Sequence, residues 1–137
     1  MIQYSETENQ KKKPNYVFVT TTDGLLYFIN YHTRAVDKII QIHEDMITTL
    51  IAAPNNEFFV TAATNGILRI WSTDFENLKS EVNTGNPISH CDVNIDSNQI
   101  CVLSAPAGII SVLDLESSSY NVVLRSHMDN INDLAYN

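Results

Sequence analysis

The residues best suited to metal chemistry in this 137-residue sequence are His90, Cys91 and Cys101. Structural zinc sites are built from ligand pairs that cluster at short, defined spacing. His90 and Cys91 are adjacent on a predicted strand, so their side chains point to opposite faces of the sheet. The sequence therefore predicts no metal site at these residues.

The two cysteines are also not placed to form a disulfide. A three-residue turn after Ile95 would pair Ile95 with Gln99, and this pairing puts Cys101 opposite Val93 instead of Cys91. A disulfide scaffold would also require a short chain that is dense in cysteine. We predict that both cysteines are reduced and lie in the core.

Motifs for catalysis are absent from the sequence. There is no Gly-x-Ser-x-Gly nucleophile turn and no glycine-rich phosphate loop. The carboxylates are spread through predicted loops, and no pair is fixed at a spacing suited to acid–base chemistry. We therefore predict that the chain is not an enzyme and binds no cofactor.

Glycines recur at an equal interval and reveal how the chain is organised. Gly24, Gly66 and Gly108 are spaced by 42 residues each time, and each begins an apolar strand. The clearest copy is TNGILRIWS, in which Asn65-Gly66 is a strong hairpin signal because both residues tolerate positive φ. A repeat of this length is the period of a four-stranded propeller blade.

The repeat resembles the WD-repeat β-propeller family, whose unit carries a Gly-His pair early and a Trp-Asp pair late. His43 and His127 are two periods apart, with Gly85 midway between them. Trp71 and Asp114 stand at the late pair in different copies. The resemblance selects seven residues as the structural repeat signature: Gly24, Gly66, Gly108, His43, His127, Trp71 and Asp114.

In that family a His, a Ser or Thr, an Asp and the Trp often form a structural hydrogen-bonded network inside one blade. His43 and Trp71 match this pattern, but the turn carries Asn65 where the family has Asp. The resemblance therefore implies at most one partial network. It also implies a structural role for His43 and His127.

The fold predicted from the repeat is all-β, with about three four-stranded antiparallel blades of a partial propeller. We expect the polar segment 1–15 to be a remnant strand or a disordered tail, and the WD-repeat blades to fill 16–137. The blades are expected at 16–42, 46–83 and 88–125, with the start of a further blade at 131–137. Because propellers have four to eight blades, we expect a piece of a longer protein, or a ring completed by blades in cis or in trans.

The strands that follow the glycines are predicted to be buried on both faces. Leu26, Leu68 and Ile110 match across the copies, and the positions two and three residues later are apolar as well. A blade that is stacked between two neighbours requires this pattern.

Composition excludes several classes of partner. The net charge is −8 and the pI is near 4.7, whereas a nucleic-acid footprint is basic. The basic run at 11–13 is interpreted as a solvated loop. There is no apolar stretch of eighteen residues and no secretory signal, so we predict no membrane insertion and a cytoplasmic location.

Binding is the function that remains, and loops carry it in rigid folds. One face of the ring should display the hairpin turns and the connections between blades, whose acidic and amide groups suit a polar or basic protein partner. We therefore predict a non-catalytic protein–protein interaction scaffold. The candidate partner-binding residues are Glu44, Asp45, Asn65, Asn86, Met128 and Asp129.

Two narrower functions are kept as alternatives. One is a substrate-recognition subunit of a ubiquitin-ligase-type complex, for which Arg69 is the only arginine on the strands that follow the glycines. The other comes from residues 110–137, which resemble the blades of large centriolar and ciliary WD-repeat proteins. That resemblance implies a partner that is tubulin or a microtubule-associated protein, although the acidic charge disfavours direct contact with acidic tubulin tails.

Overall fold

The computed structural model describes residues 2–5, 15–104 and 108–125, which form three four-stranded antiparallel sheets. Blade 1 contains β1 (Ile2–Ser5), β2 (Tyr16–Thr20), β3 (Leu25–Asn30) and β4 (Val36–Gln41). Blade 2 contains β5 (Ile47–Ala52), β6 (Phe59–Ala63), β7 (Ile67–Trp71) and β8 (Leu78–Asn83). Blade 3 contains β9 (Ile88–Val93), β10 (Gln99–Ser104), β11 (Ile109–Asp114) and β12 (Ser119–Arg125).

Each sheet is a simple meander in which consecutive strands pair, and the predicted all-β class is confirmed. The first strands of adjacent blades contact one another, β1 with β5 and β5 with β9, so they line the inner side. The fourth strands β4 and β8 are largely exposed and form the outer rim. The helical content of the described residues is zero, so no helix among them could cross a membrane.

The turns before the third strands use glycine for its conformational freedom. Gly24 and Gly66 have φ of 81° and 88°, a region that L side chains rarely adopt. The carbonyl of Gly24 accepts the amides of Ile42 and His43, and the carbonyl of Gly66 accepts the amide of Thr84. Each hairpin turn is thereby tied to the connection that leads into the next blade.

Two hydrophobic cores lie between the blades. The blade 1–2 junction contains Phe18, Leu26, Phe28, Ile42, Ile47, Leu50, Phe59 and Phe75. The blade 2–3 junction contains Ala53, Phe58, Val60, Ala62, Leu68, Ile70, Ile88, Cys91, Val93, Ile100, Val102 and Leu113. Blade 2 therefore contributes to both cores, one on each face of its sheet.

The expectation that the third strands are buried on both faces was wrong. Burial alternates along β7, where Leu68 and Ile70 face blade 3 and are buried while Arg69 and Trp71 face blade 1 and are half-buried. The strand that is buried throughout is β6. Because the blades radiate from a common axis, they cover the second strand on both sides more fully than the third.

The predicted pairing around the cysteines was wrong by one residue. Cys101 lies opposite Asp92, and Val102 lies opposite Cys91, because the turn between the paired residues Asn94 and Gln99 has four residues instead of three. The two side chains consequently point to opposite faces of the sheet. Both cysteines are buried and free, and burial raises the pKa of Cys91 to about 12.

In blade 3 the second strand is shifted by one residue relative to the repeat, although the glycine interval is unchanged. The pair Val60–Ile70 in blade 2 corresponds to Cys101–Val112 in blade 3, so the third strands are 42 residues apart and the second strands only 41. The connection before β9 is one residue shorter than that before β5, and the turn after β10 is one residue longer. The two changes cancel, which preserves the interval between the glycines.

Candidate functional site

A buried imidazole, a hydroxyl and an indole meet at the blade 1–2 junction. The Nε2 atom of His43 lies 2.6 Å from Oγ1 of Thr61, and Nε1 of Trp71 donates to the same oxygen at 2.9 Å. His43 is on the connection from β4 to β5, Thr61 is on β6, and Trp71 ends β7. The trio joins the connection to two strands of blade 2.

The repeat pattern in the sequence identifies His43 and Trp71 but not Thr61, which is fully buried. The signal that could have found it is strand alternation. Thr61 pairs with Arg69, two residues before Trp71, so Thr61 and Trp71 are on the same face of the sheet.

His43 has one hydrogen-bonding atom without a partner among the described residues, its Nδ1. The side chain of Asn65 does not supply one, because its Oδ1 accepts the amide of Ile67 at 3.1 Å. Burial, and secondly the charge of Arg69, lower the pKa of His43 to about 4. The imidazole is therefore neutral near pH 7, and its contacts are those of a structural group.

Arg69 links the same connection to the outer strand of blade 2. Its Nε donates to Glu81 at 2.6 Å, one terminal nitrogen donates to the Ile42 carbonyl at 2.8 Å, and the other to Glu44 at 3.3 Å. A hydrogen bond from the backbone amide of Glu44 itself, followed by that from Arg69, lowers the pKa of the Glu44 carboxyl. The Glu44 side chain is thus held in place although the residue is exposed.

The hairpin turns and the interblade connections form one surface, which we call the turn face: residues 21–24, 42–46, 64–66 and 84–87. Glu44, Asp45 and Asn65 are exposed on it, and Asn86 is half-buried there. Gly24 and Gly66 allow the turns to pack closely against the connections, and their carbonyls accept hydrogen bonds from the connection amides.

The remaining predicted residues lie elsewhere. Gly108 has φ of 66° and directly precedes β11, and Asp114 ends β11, where its Oδ1 accepts the amides of Glu116 and Ser117. His127, Met128 and Asp129 lie outside the described residues. Within the described ranges, no group of three or more His, Cys, Asp or Glu residues could hold a metal ion.

Comparison with known proteins gives relatives of much greater length. The chain is 27% identical over 111 residues to Centriole proteome protein 16 of Chlamydomonas reinhardtii, covering 81% of this chain and 5% of that protein. It is 37% identical over 75 residues to WD repeat-containing protein 90 of Xenopus tropicalis, covering 54% of this chain and 4% of that protein. No family model matches the sequence.

Among solved structures, the chain is similar to the β-propeller domain of Cps50 (Swd1) from Myceliophteria thermophila. The TM-score is 0.70 at 15% identity, and the match covers 90% of this chain and 38% of that domain. The described blades thus superpose on part of a larger propeller. The repeat pattern, the sheet topology and this likeness agree: the described chain folds as consecutive four-stranded blades of a β-propeller.

Proposed function

We propose that the chain is a non-catalytic protein–protein interaction scaffold that contributes blades to a larger propeller. The observation that carries the proposal is the turn face, where the backbone is tied down and the side chains are displayed. Gly24, Gly66 and Arg69 fix the loops, while Asp45 and Asn65 remain exposed. Loops held by a rigid scaffold are the usual carriers of recognition.

The buried imidazole and hydroxyl support a structural role and not a nucleophilic one. A catalytic base must reach the proton that it removes from a reacting group. His43 and Thr61 are each 0% exposed, and the Thr61 hydroxyl is already shared with Trp71. Their arrangement stabilises the connection that carries Glu44 and Asp45.

The charge of the turn face favours a partner with a basic segment. Asp23, Glu44 and Asp45 are exposed on neighbouring loops of this face, and only Glu44 has an arginine partner. The net charge of −8 adds a long-range electrostatic attraction for a basic partner. Complementary charge speeds encounter with such a partner and disfavours acidic competitors.

The setting that we propose is the cytoplasm, at the centriole or cilium. The support is the name of the Chlamydomonas reinhardtii relative, of which this chain spans about one twentieth. An acidic turn face disfavours direct contact with acidic tubulin tails. The partner that we propose there is the basic segment of a microtubule-associated protein.

The ubiquitin-ligase alternative gains no support from Arg69. Recognition of a phosphorylated segment needs arginines that are free to bind phosphate. The guanidinium of Arg69 is engaged with two carboxylates and a carbonyl. Nothing in the described part of the chain favours this function over the scaffold.

Expression of the tagged chain in ciliated cells tests the proposal. We expect enrichment at centrioles, and we expect the double variant Asp23→Lys with Asp45→Lys to lose most of it. The matched control is Asp96→Lys with Glu116→Lys, which makes the same charge change at exposed turns on the opposite side of the blades. Equal loss in both variants would show that net charge matters and the turn face does not.

Co-sedimentation of the purified chain with microtubules gives a second measurement. We expect little direct binding and strong binding once a basic microtubule-associated segment is added. Strong direct binding to microtubules at physiological salt would contradict the partner that we propose. A diffuse cellular distribution of the parent chain would contradict the setting.

A further inference from the structure

An open groove lies at the outer rim of the blade 2–3 junction. Its volume is about 370 Å³, which is near the lower end for sites that hold a ligand. Lys79 and Val82 line it from the outer strand of blade 2, and Leu113, Leu115 and Ser118 line it from blade 3. The groove is distant from the turn face, because it lies beside the turn that joins β11 to β12.

The corresponding place at the blade 1–2 junction is filled by the chain itself. Phe75, in the turn from β7 to β8, packs against Phe18 and Phe28 of blade 1 with ring centroids 5.5 Å and 5.9 Å away. The next residue, Glu76, forms an ion pair with Lys38 on the outer strand of blade 1. An aromatic ring followed by a carboxylate therefore closes this junction at its rim.

Serines replace these residues in blade 3. At the repeat interval of 42 residues, Ser117 and Ser118 stand where blade 2 has Phe75 and Glu76. Of the two serines, Ser118 lines the groove and has the left-handed backbone of Phe75, with φ of 56° against 59°. Ser80 replaces Lys38 in the same way, since Phe28 pairs with Lys38 and Ile70 pairs with Ser80. Small side chains at these positions leave the groove open, although Leu115 packs against the core beneath it.

Three charged residues line the groove: Lys79, Glu81 and Asp114. Glu81 is paired with Arg69, and the Asp114 carboxylate accepts two backbone amides. Lys79 donates to the carbonyl of Glu57 at 3.2 Å, and no described carboxylate lies within ion-pair distance of it. The lining thus offers one ammonium group to an incoming carboxylate.

We propose that this groove binds a segment of a partner protein that carries an aromatic side chain followed by a carboxylate. The ring would rest on Val82, Leu113 and Leu115, and the carboxylate would pair with Lys79. The segment would supply in trans what Phe75 and Glu76 supply within the chain. The inference rests on the proposed scaffold function and adds a second surface, with its own partner chemistry.

A labelled peptide with the sequence of residues 72–78 is the probe, measured by fluorescence anisotropy against the purified chain. We expect saturable binding, and about tenfold weaker binding when the Phe of the peptide is replaced by Ala, as for an aromatic anchor. Replacing its Glu by Lys should weaken binding about threefold, as for a partly exposed ion pair. Failure of the parent peptide to bind would overturn the inference.

Two variants of the chain locate the site. Lys79→Glu should weaken binding of the parent peptide and restore binding of the peptide that carries Lys, whereas Arg34→Glu should change neither. Ser118→Phe should fill the groove and block binding; the matched control is Arg34→Phe. Ser118, Arg34 and Phe75 all have φ near 60°, so a phenylalanine is tolerated in this backbone conformation.

Circular dichroism shows whether each variant folds, and the surface variant Lys79→Glu decides the outcome if Ser118→Phe does not. Peptide binding that neither variant changes would overturn the groove assignment. The proposed scaffold function would still stand, since Asp23 and Asp45 test it on another surface. Loss of centriolar enrichment with peptide binding intact would instead contradict the proposed scaffold function and leave the groove assignment standing.

Discussion

The two interblade junctions come from the same repeat but are closed by different means. The blade 1–2 junction is aromatic: Phe18, Phe28, Phe59 and Phe75 form a cluster in which neighbouring centroids lie 4.8–5.9 Å apart. The trio centred on Thr61 adds polar ties to it. This junction therefore combines ring packing with directional hydrogen bonds.

The blade 2–3 junction is mainly aliphatic, with Phe58 as the aromatic residue of its buried core, and two of its polar groups lack a described partner. Ser104 and Ser111 are buried there, and neither hydroxyl has a partner among the described residues. A buried hydroxyl without a partner costs free energy, whereas the Thr61 hydroxyl accepts from Trp71 and also hydrogen-bonds to His43. We infer that the first junction is the more stable of the two, although the buried Nδ1 of His43 at that junction also has no described partner.

The largest expected effect on the free energy of unfolding is at the glycine turns that precede the third strands. A Cβ at Gly24 would lie 2.0 Å from the His43 carbonyl oxygen, and one at Gly66 would lie 2.8 Å from that of Asn86. Gly24→Ala should lower the free energy of unfolding by about 4 kcal/mol or more, because backbone blocks the new carbon. Gly66→Ala should cost about 2–3 kcal/mol.

Gly85→Ala is the control, since φ is 80° and no atom of the described residues lies within 4 Å of the added carbon. It should cost only the left-handed strain of about 1–2 kcal/mol. Urea unfolding followed by far-ultraviolet circular dichroism gives all three values. Equal losses in the free energy of unfolding at Gly24 and Gly85 would show that the turn at Gly24 is not in close contact with the connection.

The next effect compares the turn residues at the two rims. Phe75→Ala should cost about 3–5 kcal/mol, because it removes a buried ring that contacts four other aromatic residues. Ser118→Ala should change stability by less than about 0.5 kcal/mol. Denaturant unfolding of both variants measures the contrast. Similar losses would show that the rim of the second junction is as tightly packed as the first.

The sequence predicted the repeat, the hairpin turns and the strands, since glycine at positive φ and apolar strands are local signals. It did not predict the register of blade 3. Residue spacing counts length but does not show which loop carries an extra residue, and here a shorter connection and a longer turn cancel. The alternation of burial along β7 depends on how the blades diverge, which is a tertiary property.

The candidate site was predicted in part for a related reason. His43 and Trp71 could be found from spacing, whereas Thr61 became visible only when pairing placed it on the same face as Trp71. The sequence did not predict a core position for Phe75, because the residues around it are polar and typical of an exposed turn. Its ring reaches the junction only because the backbone at Phe75 is left-handed, with φ of 59°.

The hydroxyls at the two junctions offer a smaller test. Thr61→Val keeps the shape of the side chain but leaves the Trp71 N–H and the His43 Nε2 without a partner, so we expect a loss of about 1–3 kcal/mol. Ser111→Ala removes a hydroxyl that has no described partner, so stability should stay within about 0.5 kcal/mol or rise. Fluorescence of Trp71, the single tryptophan, reports unfolding in both. A loss at Ser111 equal to that at Thr61 would remove the contrast between the junctions.

The smallest effect is a dependence of stability on pH that belongs to the first junction alone. Burial lowers the pKa of His43 to about 4, from 6.5 in the unfolded chain, so between these values the unfolded state binds more protons. Stability should therefore fall as the pH drops, by roughly 1.5 kcal/mol between pH 6.5 and pH 5. The variant His43→Gln should be less stable at pH 7 and should lose this slope. Urea unfolding at closely spaced pH values measures it, and a slope that survives in His43→Gln would assign the proton uptake to a group outside the junction.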